Sequence, residues 1–384
     1  MCGQNKIAAV VLAAGYSSRM GDFKPLMKLD GITVIESAVR GLQGAGISDI
    51  MVVVGYRATE VIEILDKLDA GYILNEDFDQ GMFSSVLKGV DAIASFSSGF
   101  LLLPGDIPAV KEMTVEAITA AACMGNPGII YPSFLGKRGH PTYVSSRYFK
   151  EILNSDVTYN LREILRRHEN DSIDLEVTDQ GVLMDMDTPE DFREMVKYYI
   201  RRDIPTDEEC TAMLMKYETP EKVIRHGEAV SEISCRIAEL LNETGRLSLD
   251  IDLVRAAALL HDIAREKPHH ADEGALLMDR WGYHNVAVII AEHMEIDIDE
   301  ESPVINETAI VYLADKMTKD DRLVPLKERF NGSVERFASD PEIMKNIMMR
   351  EKKAFIIKES IERICGLTDL EEVLQKAGTC GCNP

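Results

Sequence analysis

Between Val10 and Lys24 the chain reads Val-Val-Leu-Ala-Ala-Gly-Tyr-Ser-Ser-Arg-Met-Gly-Asp-Phe-Lys, an apolar run joined to a small-residue loop that ends in two cations. Ala13, Ala14 and Gly15, entered from Leu12, have little or no side chain, so their backbone N–H groups can approach phosphate oxygens, and the glycine can take a positive φ. Arg19 offers a planar fork and Lys24 a point charge, together suited to neutralising a leaving pyrophosphate. The spacing matches neither Gly-x-x-x-x-Gly-Lys-Ser/Thr nor Gly-x-Gly-x-x-Gly, which sets this loop apart from both common nucleotide fingerprints.

Two further groups of residues could do chemistry. Asp106 closes the run Phe100-Leu101-Leu102-Leu103-Pro104-Gly105, which puts its carboxylate at the carboxyl end of a strand, where open α/β sheets bind ligands. Mg²⁺ takes oxygen ligands, commonly one or two carboxylates plus substrate phosphates. Far downstream, His226, the adjacent His261-Asp262, His270, His293 and Asp315 fall on five segments of helical spacing. Imidazole and carboxylate ligands suit one or two divalent metals, Fe, Mn, Mg or Zn, and an adjacent His-Asp lets one metal be gripped while the carboxylate reaches a second. Arg265 and Lys267 follow close behind and could receive a substrate phosphate.

The elements that must position these groups differ between the two halves of the chain. Residues 7–12, 50–55 and 99–106 read as buried strands, with helical patterns over Val34–Leu42 and Thr59–Leu68. That alternation predicts a Rossmann-like α/β domain, a parallel-rich sheet with helices on both faces. From about residue 208 the apolar spacing is helical throughout, over Val223–Leu241, Leu253–Ala264, Ala271–Trp281, Val286–His293 and Ala309–Met317, which predicts an all-α second domain. Pro205 within the charged stretch Arg201–Glu209 suits a linker or a helix start. The expected division is residues 1–200, residues 208–368, and a flexible tail over 369–384. At 384 residues the chain is long enough for two cores.

Composition narrows the partners. A formal net charge of −23 argues against nucleic acid as a partner, since a polyanion would be repelled. No apolar run is long enough to span a membrane, and the N-terminus lacks the basic-then-apolar layout of a signal peptide, so a cytoplasmic protein without membrane contact is expected. The seven cysteines are scattered, with only Cys380 and Cys382 close together, and free thiols are expected.

The order Leu-Ala-Ala-Gly-x-Ser-x-Arg-Met-Gly-x-x-Lys over Leu12–Lys24 resembles the MobA-like nucleotidyltransferases that load nucleotides onto molybdopterin, and the likeness runs from residue 5 to about 196. Asn75-Glu76-Asp77-Phe78-Asp79-Gln80-Gly81-Met82-Phe83-Ser84-Ser85 resembles the family loop that closes over base and ribose, which implies Asn75, Gly81, Ser84 and Ser85 as nucleotide contacts. Gly136-Lys137-Arg138-Gly139-His140-Pro141 resembles a segment of the cytidylyltransferase branch. It implies CTP rather than GTP, with Arg138 and His140 beside the acceptor phosphate. Met184-Asp185-Met186-Asp187-Thr188-Pro189-Glu190-Asp191 resembles the family segment that supplies a second Mg²⁺ carboxylate, from Asp185 or Asp187. Asp187 or Thr188 would equally suit a helix cap ahead of Pro189.

The resemblance implies in-line attack by the terminal phosphate of a molybdopterin-type cofactor on the α-phosphorus of CTP, with pyrophosphate leaving, and a molybdenum hydroxylase apoenzyme as recipient of the product. A GTP-using or sugar-phosphate-using transferase of the same fold is the rival. The second half is similar to the HD phosphohydrolases on His226, His261, Asp262 and Asp315. His270, or its neighbour His269, and His293 follow the order of the two-metal subclass. Its rival is a nucleotide sensor that hydrolyses nothing.

Overall fold

The structure is a computed structural model and describes residues 6–16 and 20–378. It divides into two compact units, residues 1–202 and 203–384.

In the first unit, seven strands build one twisted sheet: β1 (Ile7–Ala13), β2 (Ile50–Val54), β3 (Gly71–Leu74), β4 (Gly99–Pro104), β5 (Ile129–Phe134), β6 (Thr142–Ser145) and β7 (Ser172–Glu176). Their order is β7-β5-β6-β4-β1-β2-β3, and Lys137–Arg138 adds a short eighth strand on β5. β1 lies between β4 and β2 and is parallel to both, with Val10 opposite Leu102 and Met51. β6 runs antiparallel to β4 and β5, so the sheet is parallel-rich but mixed. The centre is apolar on both sides, as a doubly covered sheet requires: Ala8, Ala9, Val10 and Val11 are all fully buried. Helices 34–44 and 82–93 both pack on β1.

The helix Met82–Ile93 sits hard against the sheet because of Gly89. A Cβ there would stand 2.3 Å from Val10 Cγ1 and 3.2 Å from Val53 Cγ2. Both neighbours are β-branched and stiff about χ1, so neither can swing away cheaply.

The second unit holds nine helices among the described residues, from Asp207–Lys216 to Leu370–Gly378. It departs from an all-helical expectation only in a two-stranded ribbon, Thr318–Lys319 with Arg322–Leu323. Its first helix is held by a capping box between Thr206 and Glu209. Glu209 is fully buried and also accepts from Tyr283 Oη at 3.2 Å. Helices 221–243 and 251–260 pack most closely here, with Gly227 at the crossing: a Cβ on it would come within 2.7 Å of the Leu259 carbonyl oxygen.

One expectation is corrected. Residues 370–378 are a helix rather than flexible tail, and Leu370 and Leu374 are buried in the core of this unit. Their apolar spacing gives the segment a face to bury. Cys380 and Cys382 lie outside the described residues.

Gly89→Ala should destabilise the first unit. Overpacking against two branched side chains costs about 1–3 kcal/mol, against which the helix-propensity gain of about 1 kcal/mol is smaller. Denaturant unfolding should therefore show a lower midpoint than wild type.

Candidate functional site

In the first unit the carboxyl ends of β1 and β4 and a later loop meet at Lys24. Its ammonium donates to Asp106 Oδ2 at 2.9 Å and to Asp187 Oδ1 at 2.8 Å, and the residue is 8% exposed. Burial works against the charge, but the hydrogen bonds and charges of Asp187 and Asp106 outweigh it and hold the Lys24 pKa above its ordinary value. Thr188, not Asp187, caps the helix Pro189–Ile200, in a capping box with Asp191. That leaves Asp187 to reach Lys24. Asp185 stands nearby with its pKa raised by burial and by the charges of Asp187 and Asp106. Three carboxylates around one ammonium leave an excess of negative charge, the condition under which a divalent cation is welcome. Among the described residues these three aspartates do not draw ligand atoms as close together as the second unit does.

The small-residue loop lies beside this cluster. The Leu12 carbonyl accepts from Gly105 N–H at 2.9 Å and the Ala14 carbonyl from Tyr56 N–H at 3.1 Å, which ties the loop to the ends of β4 and β2. Ala13 and Ala14 are buried, whereas Gly15 is exposed with open space above it. Arg19 lies outside the described residues.

Asn75, Ser84 and Ser85 are brought together, but they are spent on one another. Asn75 is fully buried and donates to Ser84 Oγ at 2.9 Å and Ser85 Oγ at 3.0 Å. Gly81, at φ +102°, begins the helix that carries both serines. The group fastens the loop after β3 to that helix.

Arg138 and His140 part company. Arg138 forms ion pairs with Asp174 at 2.6 Å and Glu169 at 2.5 Å and lies over the Tyr131 ring. His140 lies close enough to the Lys24 cluster to feel the charge of Asp106, and burial lowers its pKa.

The second unit gathers its ligand set at helix ends. His226 lies in the first turns of Glu221–Glu243, and Asp315 near the end of Glu307–Lys316. His261 and His293 are the C-caps of Ile251–Leu260 and His284–Glu292, and His270 opens His270–Arg280. The two C-cap histidines are held identically: His261 Nδ1 lies 2.7 Å from the Ala258 carbonyl and His293 Nδ1 2.7 Å from the Ile290 carbonyl. A carbonyl only accepts, so each Nδ1 carries the proton and each Nε2 presents a lone pair. Both Nε2 atoms are buried without a hydrogen-bond partner. Burial also pushes the His261 pKa down to about 4, which keeps the ring neutral.

These lone pairs face carboxylates. His226, His261 and Asp315 form one cluster of ligand atoms, and His261, Asp262 and His293 a second. His226 Nε2 is 3.2 Å from Asp315 Oδ1, and its Nδ1 is held by the Asp320 carbonyl at 2.7 Å. Asp262 Oδ1 lies 3.2 Å from His270 Nε2 and 3.5 Å from His293 Nε2. Orphaned imidazole nitrogens converging on buried carboxylates fit one or two divalent cations, of which the single Nε2 lone pair of His261 can serve one.

Sequence reasoning missed Lys316, which is buried and donates to Asp315 Oδ2 at 2.6 Å and to the His293 carbonyl at 2.9 Å. Its adjacency to Asp315 was the available signal. It also missed most of the cations around a cavity of about 550 Å³ in front of the cluster: Lys222, Arg225, Arg329 and Arg350, alongside Arg265. Lys267 does not line it.

Comparison with known proteins agrees with this division. Residues 9–172 match the MobA-like NTP transferase domain and residues 223–320 the HD domain. The chain is 30% identical over 188 residues to the molybdenum cofactor cytidylyltransferase of Escherichia coli strain K12, covering 48% of this chain and 93% of that one. It is 27% identical over 201 residues to the tRNA (cytidine(56)-2'-O)-methyltransferase of Picrophilus torridus, covering 48% of this chain and 53% of that one. A solved nucleotidyl transferase from Methanothermobacter aligns at 26% identity with a TM-score of 0.45, over 52% of this chain and 99% of its own. Among the described residues no helix is long and apolar enough to cross a membrane.

The raised Lys24 pKa sets a pH window. Its contribution to stability is fully present below the unfolded lysine value of about 10.4 and is lost as pH rises through the higher folded value. Urea unfolding of the first unit should weaken above that pH. Lys24→Met should flatten that alkaline limb while lowering stability at neutral pH, where Asp106 and Asp187 lose their shared partner.

Proposed function

The chain belongs to the MobA-like NTP transferase family and carries an HD domain behind it, and from that premise we propose that the first domain transfers CMP from CTP to a molybdopterin-type cofactor. The observation that carries the reading is Lys24 held between Asp106 and Asp187 beside the loop from Leu12 to Gly15. In the reaction a phosphate oxygen of the acceptor forms a bond to the α-phosphorus of CTP. The bond from that phosphorus to the bridging oxygen breaks, and its electron pair leaves with pyrophosphate. The loop amides hold triphosphate oxygens, and Lys24 with Arg19 offsets the charge that spreads onto the departing group. Asp106 and Asp187 are the pair suited to hold Mg²⁺, which when bound neutralises phosphate charge. Asp185 lies near enough to feel the charge of both. No protein nucleophile is required.

His140 is the better placed of the two acceptor-side residues, because Arg138 would first have to leave Glu169 and Asp174. Asn75, Gly81, Ser84 and Ser85 set the wall of the nucleotide site by fixing the loop after β3. Preference for CTP rests on the Gly139-His140-Pro141 segment and on the activity named for the E. coli relative. Supply of the product to a molybdenum hydroxylase apoenzyme follows from the same reading.

For the second domain the reading is a metal-dependent phosphohydrolase. His226, His261, Asp262, His270, His293 and Asp315 would hold one or two divalent ions, which when bound activate water and screen phosphoryl charge. Lys316 keeps Asp315 ionised and aimed, and the cations around the cavity receive the phosphoester.

Purified protein incubated with each NTP, Mg²⁺ and molybdopterin should release pyrophosphate with CTP and form the cytidylyl product. A preference for GTP, or for a sugar phosphate as acceptor, would overturn the substrate assignment. Lys24→Ala and Asp106→Ala should each lower turnover about a hundredfold or more.

The HD domain should contain bound metal by elemental analysis, and chelation should lower its melting temperature, because binding and folding are linked. His261→Ala combined with Asp262→Ala should abolish phosphoester hydrolysis while sparing cytidylyl transfer. Metal-free protein with chelator-insensitive melting would favour a sensor role.

A further inference from the structure

Past residue 320, where the HD match ends, the helices Leu326–Phe337 and Pro341–Cys365 close one side of the cavity that contains His226, Asp262 and Asp315. They contribute Arg329, Phe330, Ile347 and Arg350.

Arg329 is the informative residue. It is half-buried, and its Nε donates to the Thr318 carbonyl at 3.2 Å. Among the described residues no carboxylate pairs with it. Asp321 also lines the cavity, but it lies 3.7 Å from Arg225 and 3.8 Å from Arg322, and so has cations of its own. In a chain with a formal charge of −23, a partly desolvated guanidinium without a carboxylate is an exception. It gives up hydration and regains little within the protein. Arg350 adds an independent sign: its Nη2 is paired with Glu295 at 2.7 Å, yet its Nε is buried with no partner. Two guanidinium groups on the wall of one cavity thus carry unused capacity for an anion. Phe330 and Ile347, both buried, supply apolar surface on the same wall.

We infer that Arg329 and Arg350 form a second anion subsite, so that the HD domain takes a phosphoester bearing a further phosphoryl group, a diphosphate or bisphosphate ester, rather than a simple phosphomonoester. The inference rests on the hydrolase reading of this domain and adds its substrate class. A planar guanidinium is matched to two phosphate oxygens at once, whereas a single phosphoryl group at the His–Asp cluster leaves this wall unused.

The test compares inorganic phosphate with methylenediphosphonate, a non-hydrolysable diphosphate, as inhibitors of p-nitrophenyl phosphate hydrolysis by the full chain supplied with Mn²⁺. In wild type the diphosphonate should inhibit about tenfold more tightly than phosphate, the scale of one charge-assisted hydrogen bond. That advantage should shrink to about twofold or less in Arg329→Ala and in part in Arg350→Ala, with Arg329→Lys intermediate because a lysine gives charge without the fork. Equal inhibition by the two anions in wild type, or an advantage that survives both alanine substitutions, overturns the subsite. If p-nitrophenyl phosphate is not hydrolysed with any divalent metal, the hydrolase reading fails by itself. The subsite is then read by calorimetric titration of methylenediphosphonate into Lys24→Ala protein, with and without Arg329→Ala. Weaker binding in the double variant supports it, and equal binding overturns it.

Discussion

Taking an ionised group out of water is costly unless an opposite charge or a matched set of hydrogen bonds meets it inside. In the first unit that constraint is met at Lys24. Its ammonium is nearly enclosed, and the two carboxylates that compensate it come from positions 82 and 163 residues further along the chain. A strand end, a loop and the approach to a late helix are therefore fastened at one atom. The remaining features of that site follow from it. Thr188 must take over the helix cap so that Asp187 can turn to the lysine, and Asp185, partly buried and with like charges beside it, has its proton held more tightly.

The same constraint is met only in part in the second unit. Asp262 and Asp315 are buried, and Asp315 has a pKa well below the ordinary range: burial opposes this, but the adjacent charge of Lys316 outweighs it. What the protein leaves unmatched is specific. The Nε2 atoms of His261 and His293 have no donor or acceptor of their own, because backbone carbonyls one turn back have fixed the proton on Nδ1. Helix ends are where such carbonyls are free of intrahelical partners. Two of the cluster's histidines sitting at C-caps is thus a means of presenting lone pairs, and Gly227 lets the helix of His226 come close enough to meet them.

Sequence made the central strands and the His/Asp pairs that the fold gathers legible for physical reasons. β1 and β4 are buried on both faces and read as unbroken apolar runs, and His261-Asp262 is an adjacent pair with few structural uses. The strands Gly71–Leu74 and Ser172–Glu176 escaped because they lie at the sheet edges with mixed polarity, and β6 because four residues carry too little pattern. That Asp187 reaches Lys24 goes with a capping box between Thr188 and Asp191 that no spacing rule weighs against a distant lysine. His140 and Arg138 stand two residues apart, yet His140 feels the charge of Asp106 while Arg138 is held by Asp174 and Glu169. Pairing of Arg138 with Asp174 and Glu169 depends on strand neighbours known only after folding. The cations of the HD cavity are spread over more than a hundred residues, and their convergence is a property of the helical packing.

The cation-lined cavity is set in a strongly acidic chain, and this shapes how fast a ligand arrives rather than how tightly it stays. An anion approaching from beyond the Debye length, about 8 Å at physiological ionic strength, meets the averaged field of the excess carboxylates and is repelled. It is drawn in only over the last stretch, where individual guanidinium groups dominate. Added salt weakens the outer repulsion more than it weakens contacts in the partly desolvated interior. Capture of anionic ligands is therefore gated by a long-range barrier that ionic strength lowers, the reverse of the salt dependence of a basic enzyme that steers its substrate from afar.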